Sequence, residues 1–81
     1  MEREILVTLE DIVTLLKIQL GLKKIDAEDK IYEDLGAESA DVINIIALVE
    51  DKFGIIFPET EIPEIVSVRD LYTAVKIKLK H

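Results

Sequence analysis

Between Ala40 and Gly54 the chain places apolar side chains at Val42, Ile45, Ile46, Val49 and Phe53. Steps of three and four put all five on one side of an α-helix, whereas a half-buried strand would require strict alternation. The spacing predicts a helix over 40–53, with Gly54 as its C-terminal stop. Its β-branched residues lower intrinsic helix propensity a little, so burial against neighbouring elements has to hold it. Such a stripe needs other amphipathic segments to cover it.

Two further segments supply the cover. Across residues 2–20, Ile5, Leu9, Ile12, Leu16 and Leu20 recur at helical spacing, and Leu6, Val13 and Leu15 broaden the stripe. Thr8 followed three residues later by Asp11 resembles a capping box, which predicts that the main helix begins at Leu9 and stops at Gly21. Ser67 and Asp70 repeat that signal ahead of Val68, Leu71, Val75 and Leu79, with Tyr72 beside the stripe. Lys76, Lys78 and Lys80 suit the negative end of this last helix. Residues 22–38 form a connection longer than most helix–helix loops, and it is expected to be ordered by Ile25, Ile31 and Leu35. Gly36 is expected to make the sharp turn into the next helix. After Gly54, Ile55-Ile56-Phe57-Pro58 reads as extended. Residues 59–65 leave room for only a brief helical segment, because Pro63 cannot sit beyond a first turn without losing a hydrogen bond.

The pattern predicts an all-α chain: an antiparallel four-helix bundle of three longer helices and one short one, forming a single domain over 1–81. With 81 residues, it suits a binding module better than an enzyme with a deep cleft. Seventeen acidic against ten basic residues give a net charge of -7. That charge repels phosphate backbones, argues against nucleic acid, and favours basic protein surfaces as partners. Without cysteine there is no disulfide or thiolate zinc site, and the lone His81 sits at the C-terminus. No apolar run approaches the roughly 20 residues that span a bilayer, and no basic segment precedes Ile5-Leu6-Val7. A monomeric cytoplasmic protein without membrane insertion is the expectation, and Met1 with the compact length suits a free-standing one.

The chemistry is concentrated at Asp34-Leu35-Gly36-Ala37-Glu38-Ser39-Ala40-Asp41. Six acids, Glu33, Asp34, Glu38, Asp41, Glu50 and Asp51, fall between 33 and 51 with no Lys or Arg among them. The ordinary reading of such a run is a solvated helix face, and of Ser39 a helix N-cap. The chemical alternative is a hydroxyl esterified to a phosphate, where unpaired N–H groups and the positive dipole end favour an anion by roughly 0.3–1 kcal/mol.

This stretch is similar to the Asp-Leu-Gly-Ala-Asp-Ser-Leu-Asp motif of acyl carrier proteins. Leu48-Val49-Glu50-Asp51-Lys52-Phe53 and Phe57-Pro58 match the same family without a gap, and looser similarity extends from about Leu9 to Leu79. The resemblance implies a non-catalytic carrier of the acyl-carrier-like fold. Its Ser39 would be joined to 4'-phosphopantetheine taken from coenzyme A by a magnesium-dependent phosphopantetheinyl transferase. The thiol of that arm would carry acyl intermediates as thioesters in fatty-acid or related acyl or polyketide biosynthesis, which accounts for the missing cysteine. Ser39 would be an acceptor, since no nearby His could activate it as a nucleophile. Glu38 and Asp41 would flank the site where basic patches of the transferase and of acyl-processing enzymes dock. Ala40, Ile43 and Ala47 would share the face that touches them, with Ile43 equally open to a core position. Ile46, Ile62 and Leu71 would line a pocket for the acyl chain, although core packing alone also explains them.

Three departures qualify the match. Ala40 replaces the larger apolar residue usual after the serine, Asn44 stands where an acid is frequent, and Ala47 is small where a bulky contact is common. A smoother, less charged face points to a dedicated carrier with few partners. It also keeps open a second class of function, an unmodified carrier-like adaptor that binds a partner through its acidic second helix. A calcium-binding loop at Asp26-Ala27-Glu28-Asp29-Lys30-Ile31 is excluded, because the glycine at loop position six and the alternation of ligands are missing.

Overall fold

A computed structural model describes residues 6–79, and the expectations placed on Ile5, Lys80 and His81 lie outside that range. Helix α1 spans Leu9–Leu20, α2 Ser39–Phe53 and α3 Val68–Leu79, with a single 3₁₀ turn, Ile62–Glu64, ahead of α3. No strand is formed among the described residues; the one bridge pairs Lys30 with Ser67.

The caps of α1 and α3 form as their sequences require. Thr8 N–H donates to Asp11 Oδ2, and Asp11 N–H donates back to Thr8 Oγ1, each at 3.0 Å. At α3, Ser67 N–H donates to Asp70 Oδ2 at 3.0 Å and Asp70 N–H to Ser67 Oγ at 3.1 Å. The two glycine stops, Gly21 and Gly54, both adopt φ of 69°, a left-handed conformation that ends each helix without the penalty of a Cβ.

The expected fourth helix is corrected to one 3₁₀ turn. Glu64 N–H closes on Glu61 O and Ile65 N–H on Ile62 O, each at 3.1 Å and each across three residues. Pro63, at the second position, contributes no donor with which an α-turn could continue, and Ile65 is already extended. What fixes this segment is contact with α3: Lys78 Nζ lies 2.9 Å from Glu61 Oε1 and 5.0 Å from the centroid of the Phe57 ring.

Helix α1 packs against both α2 and α3. Ile12 and Leu16 from α1, Val49 from α2, and Val68, Leu71 and Val75 from α3 are fully buried, and among the described residues no charged or polar side chain joins this core. The long connection is ordered, with Ile31 buried and Ile25 and Leu35 packed on the core. It is also sewn to the start of α3. Ile31 N–H donates to Val66 O, Val68 N–H to Asp29 O and Arg69 N–H to Ala27 O, at 2.9–3.0 Å. The Arg69–Glu28 ion pair at 2.6 Å lies beside these bonds. Backbone groups that would cost free energy if buried unpaired thus find partners across the molecule.

Candidate functional site

The turn into α2 is built from both sides. Lys30 N–H donates to Asp34 Oδ2 at 2.8 Å, and the N–H groups of Asp34 and Leu35 return to Lys30 O. Beyond the turn, Ala37 is buried and its N–H donates to Ile31 O at 3.2 Å. Gly36 lies between these anchors at φ 71°, in the left-handed region that most side chains avoid.

Glu38 is extended and occupies the N-cap, with its N–H donating to Asp41 Oδ2 at 2.9 Å. Ser39 is therefore the first residue of α2 and not its cap, one position further into the helix than its residue type suggests. The cause is Asp41, which takes the N–H of residue 38 and so starts the helix there. Ser39 is exposed, and among the described residues its hydroxyl has no hydrogen-bond partner. The first intrahelical bond runs from Val42 N–H to Glu38 O, so the N–H groups of Ser39 and Ala40 have no acceptor within the helix. A phosphodiester fits here: the hydroxyl is free, nothing covers it, and unpaired donors surround it. Because Glu38 and Asp41 oppose an anion, a phosphate at Ser39 must be held by its covalent bond and not by charge.

The expected partner residues lie together on the outer side of α2. Glu38, Ala40 and Ala47 are exposed and Asp41 is half-buried. Of the two positions open to Ile43, the side chain takes the surface, at 63 % exposure. Leu48 and Asp51, named in sequence only within the family match and the acidic run and not as partner residues, continue the same face. Their spacing from Asn44 and Ala47 was the available signal. Glu50 turns away, and its Oε2 accepts the Phe57 N–H at 2.8 Å.

The three residues expected to line an acyl pocket are differently placed. Leu71 is fully buried, Ile46 is nearly so, and Ile62 is half-buried against the core. A groove of about 390 Å³ lies instead between the 3₁₀ turn and α3, where Ile65, Ala74 and Ile77 meet Glu61, Glu64, Arg69, Asp70 and Thr73. None of the three expected residues lines it. The described residues hold no cluster of His, Cys, Asp and Glu suited to a metal ion, and none of their helices is long and apolar enough to cross a membrane.

Comparison with known proteins places these features in a family. The phosphopantetheine attachment site family matches residues 9–75, which covers α1, the Gly36 turn, α2 and most of α3. The chain is 38 % identical over 65 residues to the acyl carrier protein of Campylobacter hominis, covering 80 % of each chain. It is 36 % identical over 64 residues to that of Campylobacter concisus, covering 76 % of this chain and 83 % of the relative. The solution structure of oxytetracycline acyl carrier protein superposes with a TM-score of 0.77 at 25 % identity, covering 94 % of this chain and 85 % of that one. Carriers of this family are generally non-catalytic, and they interact with a phosphopantetheinyl transferase and with acyl-processing enzymes. In sequence and in fold, this chain belongs to the acyl carrier protein family, as a carrier bearing covalent 4'-phosphopantetheine in fatty-acid or polyketide synthesis.

Proposed function

We propose that Ser39 is the residue that bears the arm, that residues 1–81 form one domain, and that it serves as a non-catalytic carrier, acting as a monomer in the cytoplasm. The observation that supports this is the free, exposed Ser39 hydroxyl at the first position of α2, inside the span that matches the family. In the loading step the Ser39 oxygen forms a phosphodiester bond with the phosphate of the arm, as the nucleotide part of coenzyme A leaves. The hydroxyl proton passes to a base on the transferase, since among the described residues no group accepts a hydrogen bond from the Ser39 hydroxyl.

When bound, the arm supplies a thiol on which an acyl group travels as a thioester. This chain's own contribution is presentation. The anchored Gly36 turn and the packed α2 hold the attachment point fixed at the surface, and Glu38, Ala40, Asp41, Ile43 and Ala47 offer basic docking patches an acidic rim around apolar contacts. An acyl chain that entered the bundle would meet Ile46, Ile62 and Leu71, with each buried methylene contributing about 0.8 kcal/mol. Entry requires these side chains to separate, because Leu71 is completely enclosed.

Incubation with a phosphopantetheinyl transferase, coenzyme A and magnesium should add one prosthetic group to the intact mass, and Ser39→Ala should abolish the increment. An increment that persists in Ser39→Ala would refute the assignment. No increment with several transferases, together with partner binding retained in the variant, would favour the unmodified adaptor.

A further inference from the structure

In sequence, Ser67 and Asp70 announce only the start of a helix. In the folded chain the Asp70 carboxylate also reaches backward. Its Oδ2 accepts Ser67 N–H at 3.0 Å and Val66 N–H at 3.1 Å, and Val66 lies outside α3. The reciprocal half of the cap, Asp70 N–H to Ser67 Oγ at 3.1 Å, uses no carboxylate oxygen. The two halves can therefore be removed separately.

The peptide unit that joins Val66 to Ser67 has a second partner. Its N–H is the Ser67 donor held by Asp70, and its carbonyl, Val66 O, accepts Ile31 N–H at 2.9 Å. The unit that joins Lys30 to Ile31 repeats the pattern. Its N–H goes to Val66 O, and its carbonyl accepts the N–H groups of Asp34 and Leu35 at 2.8 and 3.1 Å. Each unit is planar, so holding one edge orients the other. A donor bonded to an anion also makes the carbonyl of its own unit a better acceptor. Two rigid plates thus connect Asp70 of α3 to the Gly36 turn that leads into Ser39. The neighbouring bonds, Val68 N–H to Asp29 O and Arg69 N–H to Ala27 O, hold residues 27–29 but reach no group of that turn. The buried Ile31 side chain fixes where its residue lies and leaves the tilt of the plate to its hydrogen bonds.

We propose that Asp70 is a positioning residue for Ser39, which it acts on through the 66–67 and 30–31 peptide units and the turn they hold. The inference rests on the reading that Ser39 is loaded. Asp70 acts at a distance: it narrows the orientations in which the hydroxyl is presented. Losing that control falls on the chemical step, where a small misplacement of the reacting oxygen is costly. Encounter with the transferase is spared, because the outer side of α2 is unaltered.

Ser67→Ala and Asp70→Ala each remove one half of the same cap, and only the second releases the 66–67 unit. Amide hydrogen exchange at Ile31, Asp34 and Leu35, taken relative to Leu16 of α1 to remove any global change in stability, should accelerate about fivefold or more in Asp70→Ala and less than about twofold in Ser67→Ala. Loading of Asp70→Ala, followed by intact mass, should show kcat lowered about three- to tenfold with the KM for the carrier within about twofold. Asp70→Asn, which keeps an oxygen acceptor, should recover most of both effects. Unchanged exchange at the three amides in Asp70→Ala, equal acceleration in Ser67→Ala, or an unchanged kcat would overturn the positioning role while leaving the Ser39 assignment intact. Failure of the unmodified sequence to be loaded would overturn both.

Discussion

Gly36 shows how one residue positions the attachment point. Its φ of 71° is accessible to glycine at no steric cost, and a Cβ built there meets nothing within 4 Å. The penalty for a side chain is therefore one of backbone conformation alone. Gly36→Ala should lower stability by about 1–2 kcal/mol in urea denaturation, and Gly36→Asn by less, since Asn tolerates the left-handed region. Asp70 offers a second test. The N–H groups of Ser67 and Val66 donate to its carboxylate, the former being the larger influence, and they hold its pKa below the ordinary 3.8. A depressed carboxylate pKa contributes stability that is complete above the unfolded value and is lost as pH falls through the folded one. Asp70→Asn keeps the oxygen acceptor but cannot titrate. The stability gap between the two proteins should be widest near neutral pH and close progressively below about pH 4.

Among the elements, the 3₁₀ turn Ile62–Glu64 is the shortest. Three residues cannot sustain themselves, so Ile65 in the core and the reach of Lys78 to Glu61 and Phe57 fasten the segment. Lys78→Met preserves the aliphatic stem and removes the charge. The expected result is a global loss below about 1 kcal/mol, because the Glu61 side chain is still 44 % exposed. Faster hydrogen exchange at the Glu64 and Ile65 amides, with α1 unchanged, is the sharper readout. Unchanged exchange at those two amides would show that Ile65 alone secures the turn.

At the scale of the whole molecule, stability and recognition are carried by different residues. Leu71, enclosed between the elements, should cost about 2–5 kcal/mol when replaced by Ala. Ile43 is as apolar but stands in solvent, so Ile43→Ala should change stability by less than about 0.5 kcal/mol. It should nonetheless raise the KM for loading. Chemical denaturation and intact-mass kinetics on this pair would show whether the two roles separate as the fold indicates.

Periodicity and capping residues by themselves determined the three long helices, the starts of α1 at Thr8 and of α3 at Ser67, the glycine stops of α1 and α2, and the aliphatic identity of the core. These are local matters, settled within one or two turns of chain. The motif around Ser39 was equally legible, because the chemistry needs a hydroxyl, a turn and a helix in immediate succession. Only the tertiary structure decided the rest. Ile43 has the same character as Ile45 and Ile46, and a step of two or three residues around the helix separates surface from core. Asp34, Asp41 and Glu50 looked like parts of a uniform acidic run, yet each accepts a backbone N–H, from Lys30, Glu38 and Phe57. Which carboxylate remains free for a partner depends on which orphaned donors the folded backbone brings within reach, and composition and spacing do not contain that information.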